Sequence, residues 1–141
     1  MDVKVRGPGE KVTETELGIL RQQGGDVIHE YAAGRLVRVA IDVDRILPLF
    51  KRIRFSDGDF ISYATTVIDP ASFKIVMIVT LDHPVTAADL AAAQALGGTI
   101  RNVYTHALIG YSVQIEDAMV PRLRALPGVV KANLSGYGCL I

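Results

Sequence analysis

One stretch of this chain is present twice, and that duplication limits what the chain can fold into. Thr86, Leu90, Gly97, Gly98 and Tyr104 recur 73 positions earlier as Thr13, Leu17, Gly24, Gly25 and Tyr31. Self-similarity at a fixed period means one supersecondary unit built more than once. In each copy the Thr is followed three residues later by an acid, Glu16 or Asp89. This is capping-box spacing, in which a hydroxyl and a carboxylate satisfy the free N–H groups of a helix start. Gly24-Gly25 and Gly97-Gly98 are read as supplying the positive φ that ends a helix, and a β-type run follows each pair. Each copy therefore predicts a capped helix, a glycine stop and a strand.

The flanking residues complete the unit. Val3, Lys4 and Val5 make a short alternating strand that Gly7-Pro8-Gly9 breaks. Val37, Val39, Ile41 and Val43 share the period-two face of a third strand. Ile46, Leu49, Phe50 and Ile53 form a helical stripe, and a strand-like run covers residues 60–68. After Asp69-Pro70, residues 73–81, 87–96 and 99–104 repeat strand, helix and strand. Ile109, Tyr111, Val113 and Ile115 mark the next strand face, Met119, Leu123 and Leu126 a helix stripe, and residues 129–134 a last strand. At the 73-residue offset Val37, Val39 and Ile41 fall out of phase with Tyr111, Val113 and Ile115. A one-residue slip between the copies is expected there, because otherwise the core face would turn outward.

Strand-helix-strand-strand-helix-strand is the split βαβ, ferredoxin-like unit. The expected fold is α+β: two tandem ferredoxin-like (βαββαβ) units, residues 1–68 and 73–141, joined by a linker at 69–72. Each is an antiparallel sheet with its helices on one face. A sheet covered on one side only should alternate apolar with polar. Residues 2–6 alternate, whereas Ile75-Val76-Met77-Ile78-Val79 do not. That run predicts a covered back face on the second copy, with Ile75, Met77 and Val79 as a candidate interface. The cover would be the first copy, a twin chain or a foreign partner.

With 15 basic and 15 acidic residues in 141, the chain offers no basic surface for nucleic acid and no polybasic patch for membranes. Its longest apolar run is far too short to cross a bilayer. The single cysteine, Cys139, excludes an intrachain disulfide and fits a reducing compartment. The first residues lack the apolar core of a secretion signal. A cytoplasmic protein is expected, or an extracellular one if the chain is cut from a secreted precursor.

Chemistry-bearing motifs are scarce. His29, His83 and His106 do not stand at repeated positions, and no His-x-x-x-His, Cys-x-x-Cys or carboxylate cluster offers metal-ligand spacing. Cys139 has no His at a recognisable local spacing to activate it. Gly7-Pro8-Gly9-Glu10-Lys11 lacks the full phosphate-loop pattern and reads as a turn. No catalytic residue, no metal and no cofactor are expected. What remains is the tail, residues 135–141, interrupted by Gly136 and Gly138 and finishing with Leu140 and Ile141. Such a segment can lie extended in a groove, continue the last strand, or fray.

From about residue 73 to 141 the chain resembles the subtilisin propeptide-like proteinase inhibitor family. The likeness lies in a helix ending in Gly97-Gly98, a strand ending in Tyr104, an apolar hairpin strand and helix, then Leu126-Pro127-Gly128-Val129-Val130. The first copy keeps the glycine pair and the tyrosine, but has Arg52-Ile53-Arg54-Phe55 where Leu-Pro-Gly-Val would stand. The resemblance implies the ferredoxin-like fold and a non-enzymatic role. It implies that the sheet's open face packs on a subtilisin-like serine protease, as inhibitor or folding chaperone. Gly138, Cys139, Leu140 and Ile141 would then fill the substrate cleft in product-like fashion, with Ile141 in the primary specificity pocket. The alternative is an assembly protein that binds copies of itself through sheet edges or the strand around Met77. A small-ligand sensor finds no convergent polar pocket lining in the sequence.

Overall fold

The first half of the chain runs β1 (Asp2–Val5), α1 (Glu14–Gln22), β2 (Asp26–Glu30), β3 (Leu36–Ala40), α2 (Val43–Phe50) and β4 (Ile61–Thr65). The second half runs β5 (Lys74–Leu81), α3 (Ala87–Ala95), β6 (Thr99–Tyr104), β7 (Gly110–Glu116), α4 (Val120–Arg124) and β8 (Val129–Leu134). One 3-10 turn, Asp117–Met119, leads into α4. The computed structural model describes residues 1–50 and 60–135, and its elements fall into two units, Met1–Ile68 and Asp69–Ile141. Arg52-Ile53-Arg54-Phe55 and the tail residues Gly138, Cys139, Leu140 and Ile141 lie outside the described residues. Each unit has one antiparallel four-stranded sheet, ordered β2-β3-β1-β4 in the first and β6-β7-β5-β8 in the second. These are the same order, with the opening strand of each unit set between its third and fourth. That is the ferredoxin-like topology expected from the repeat.

Both helix starts are capped as their spacing requires. Thr13 Oγ1 accepts from the Glu16 N–H at 3.2 Å while Glu16 Oε1 accepts from the Thr13 N–H at 2.9 Å. Thr86 Oγ1 accepts from the Asp89 N–H at 3.3 Å, and Asp89 Oδ2 accepts from the Thr86 N–H at 2.8 Å. The glycine pairs divide the work differently from the sequence expectation. Only the first of each pair takes positive φ, +85° at Gly24 and +86° at Gly97. The second is a glycine for want of room. A Cβ at Gly25 would stand 2.9 Å from the Leu20 carbonyl oxygen, and one at Gly98 would meet Val113 Cγ2 at 2.6 Å.

The strand registers show where the copies slip. Val37 faces Val3, and Tyr111 faces Val79. Val39 faces Val27, and Val113 faces Ile100. Tyr111 and Val113 are therefore the counterparts of Val37 and Val39, an offset of 74, which is the one-residue slip expected from the phase mismatch. The opening strands are offset further. Val5 N–H donates to Arg35 O, and Leu81 N–H donates to Ile109 O, so Leu81 is the counterpart of Val5. Residues 2–6 and 75–79 are thus not equivalent stretches, and their contrasting patterns do not describe one face of the fold.

This shift corrects the expected interface. Met77 and Val79 pair with Val113 and Tyr111, and the Val113 side chain lies against Gly98 just after α3. Ile75, Met77 and Val79 therefore point toward the helices, where they are 2%, 0% and 0% exposed. They are core, not an open-face interface. In the first unit Val3, Val5, Val37 and Val39 pack with Leu17 and Leu20 of α1 and Ile46 and Leu49 of α2. The slip carries into the last helix as well. Val120 and Leu123 are buried there as Ile46 and Leu49 are in α2, and Met119 is only half-buried. Among the described residues no helix is long and apolar enough to cross a membrane.

Candidate functional site

Each capping carboxylate meets a basic side chain, and the two units supply it from different positions. Arg35 is 5% exposed, and all five of its N–H donors are used. Nε donates to Val5 O at 3.1 Å, Nη1 to Pro8 O at 2.9 Å and Lys11 O at 2.7 Å, and Nη2 to Arg6 O at 3.3 Å and to Glu16 Oε2. Burial pushes the Glu16 carboxyl up, but the Thr13 N–H bond and then the Arg35 bond outweigh it and hold the group below its ordinary value. The Gly7-Pro8-Gly9-Glu10-Lys11 loop is therefore a turn wrapped around a guanidinium. It converges carbonyl oxygens rather than N–H groups, the wrong polarity for a phosphate.

By the register, Ile109 stands where Arg35 does, and His83 stands where Gly7 does. A side chain at Gly7 would enter the space held by Arg35, 3.1 Å from Glu16 Oε2. In the second unit the imidazole takes that place. His83 Nδ1 bonds Asp82 Oδ1 at 2.6 Å, and Nε2 bonds Asp89 Oδ2 at 2.9 Å. Both ring nitrogens are occupied by carboxylates, so neither is free to act as a base. Gly128 closes over the cluster: a Cβ there would lie 2.7 Å from His83 Nδ1, and its carbonyl accepts from Asp82 N–H at 3.0 Å. His83 thus ties the α3 cap to the turn that opens β8.

This tie titrates. The Asp82 bond, then the Asp89 bond, raises the His83 pKa above its ordinary 6.5. The Thr86 N–H bond, with the His83 bond adding to it, lowers that of Asp89 below its ordinary 3.8 against the opposing pull of burial. The His83 contribution is complete below pH 6.5 and lost as pH rises through the raised value. The Asp89 contribution is present above 3.8 and lost as pH falls through the lowered value. The second unit should therefore lose thermal stability on going from pH 6 toward pH 9, in thermal melts read by its amide signals. The substitution His83→Gln should flatten that slope; an equal slope in the variant would place the titrating group elsewhere.

Beside this cluster lies a groove of about 190 Å³. Its floor is Leu81 and Tyr111, its walls are Ala88 and Ala92 of α3 and Leu126 and Val129 around the last turn, and Asp89 stands at its rim.

Along one edge of this sheet runs β8. Ser135 N–H donates to Val76 O at 2.9 Å, and Arg124 Nε donates to Ala132 O at 3.2 Å. On the face away from the helices, Val76 is 8% and Ser112 3% exposed, so these two positions offer a partner little surface. Of the residues singled out from the sequence, Thr13, Glu16, Thr86, Asp89 and the glycine pairs act at the helix ends, and Ile75, Met77 and Val79 lie in the core. Among the described residues no group of three or more His, Cys, Asp or Glu side chains is arranged to hold a metal ion. His83 gave no sequence signal beyond standing three residues before a capping Thr, and Arg35, 19 residues beyond Glu16, gave none. Comparisons with protein-family models, with curated proteins and with solved structures find no match to this chain.

Proposed function

We propose that this chain is a non-enzymatic protein-binding module whose second unit inhibits, or assists the folding of, a subtilisin-like serine protease. The observation that carries this reading is the edge position of β8, which residues 136–141 follow directly in sequence. A segment continuing an edge strand can enter a cleft extended, pair its backbone there and drop alternate side chains into pockets. The class of partner comes from the likeness of the second copy to propeptide-type inhibitors, since a ferredoxin-like topology alone serves many functions. In this reading Gly138, Cys139, Leu140 and Ile141 fill the substrate cleft, with Ile141 in the primary pocket. Assembly with copies of itself loses the support it drew from Ile75, Met77 and Val79, which are buried in the core of their own unit. Ending the chain at Ser135 is expected to weaken inhibition of a subtilisin-like protease by about 100-fold or more, because a few central contacts carry most of such an interface. Equal inhibition by the shortened chain would remove the tail from the mechanism.

A further inference from the structure

We infer that the groove over Tyr111 binds a small neutral molecule, one ring or a short branched chain bearing a single hydrogen-bond acceptor. The groove exists because of two differences between the units. Ala92 stands where α1 has Ile19, which packs against the first unit's core. The connection over this end of the sheet is also shorter, residues 82–85 against residues 6–12. Side-chain volume and loop cover are both missing, while the floor has gained a tyrosine in place of Val37.

That tyrosine gives the groove its polar group. Tyr111 is 1% exposed, and its hydroxyl has no hydrogen-bond partner among the described residues. No described side-chain oxygen is sealed from solvent without a partner, so this hydroxyl keeps an opening to solvent, and Tyr111 lines the groove. Water can reach it there, and an apolar ligand that displaces that water must bring an acceptor to replace the bond. Burial, then the nearby Asp89 carboxylate, raises the Tyr111 pKa, so the phenol stays protonated and offers a donor. The same carboxylate at the rim disfavours an anionic ligand. A cavity of roughly 150 Å³ takes benzene, so 190 Å³ suits a ring with one substituent.

The test is a titration of the intact chain with benzyl alcohol, toluene and benzoate, followed by amide chemical shifts. Benzyl alcohol should shift Leu81, Ala92, Tyr111 and Val129 saturably and bind roughly three- to tenfold tighter than toluene, the difference one hydrogen bond makes. Benzoate should not bind. Tyr111→Phe should erase the preference for the alcohol while toluene binding persists. Ala92→Ile, which restores the first unit's residue, should abolish binding of both with the spectrum still dispersed. Absence of saturable shifts with benzyl alcohol, an unaltered preference in Tyr111→Phe, or undiminished binding in a folded Ala92→Ile variant would overturn the inference.

Discussion

Replacing Arg35 with alanine is expected to destabilise the first unit by about 3–5 kcal/mol, the usual cost of removing one partner from a buried ion pair. The guanidinium is the hub of its loop. Without it the carbonyls of Val5, Arg6, Pro8 and Lys11 and the Glu16 carboxylate lose their shared donor in a site already 95% closed around Arg35. Folded domains hold only about 5–15 kcal/mol in total, so the loss is a large share. Arg35→Lys should rescue little, because an ammonium has three donors on one atom and cannot reproduce the planar five-donor fork. Denaturant melts give the size of the effect. Amide exchange gives its place, with protection lost first across residues 6–12 and the start of α1. A change under about 1 kcal/mol would mean that the loop holds without its hub.

The matching prediction for the second unit concerns Gly110. It opens β7 opposite Thr80. A methyl group there would fall far inside van der Waals contact with the Val79 carbonyl oxygen, 2.9 Å from the carbonyl carbon and 3.2 Å from Thr80 Cα. All of these are backbone atoms of the central strand, so no rotamer change relieves the clash and β5 must separate locally from β7. Gly110→Ala is therefore expected to cost roughly 3 kcal/mol or more, at the severe end of overpacking. The counterpart position in the first unit holds Leu36, fully buried, so this close approach belongs to the second unit alone. Melts that follow β5 and β7 amides should show the loss; a variant within 0.5 kcal/mol of the parent would show that the strands can part at little cost, as only benign surface substitutions usually do.

Much of the architecture was readable from the repeat, because caps and glycine stops are local chemistry. Thr13 with Glu16 and Thr86 with Asp89 needed only a spacing of three to be recognised, and their bonds form as expected. The register was harder. The one-residue slip of the hairpin was legible, because Tyr111 falls out of phase at an offset of 73. Insertions in connections leave no mark on strand patterns, so the larger shift that makes Leu81 the counterpart of Val5 was not legible. That shift of the opening strand is what assigned Ile75, Met77 and Val79 to a surface. The groove was invisible for a related reason. Its lining comes from β5, α3, β7 and the turn before β8, and its volume is an absence, the methylenes that Ala92 lacks relative to Ile19. His83 shows another limit: an Asp-His dipeptide before a capping Thr is ordinary surface sequence until the fold brings Gly128 against it.

We propose one function for the second unit, the occupation of a protease. Its most direct test is a titration of a subtilisin-like protease, hydrolysing a short peptide substrate, with the parent chain, Arg35→Ala and Gly110→Ala. A protein-binding second unit predicts saturable inhibition competitive with substrate, retained by Arg35→Ala and lost by Gly110→Ala. Undiminished proteolysis at every concentration of the parent chain, or inhibition that Arg35→Ala loses and Gly110→Ala keeps, would contradict it.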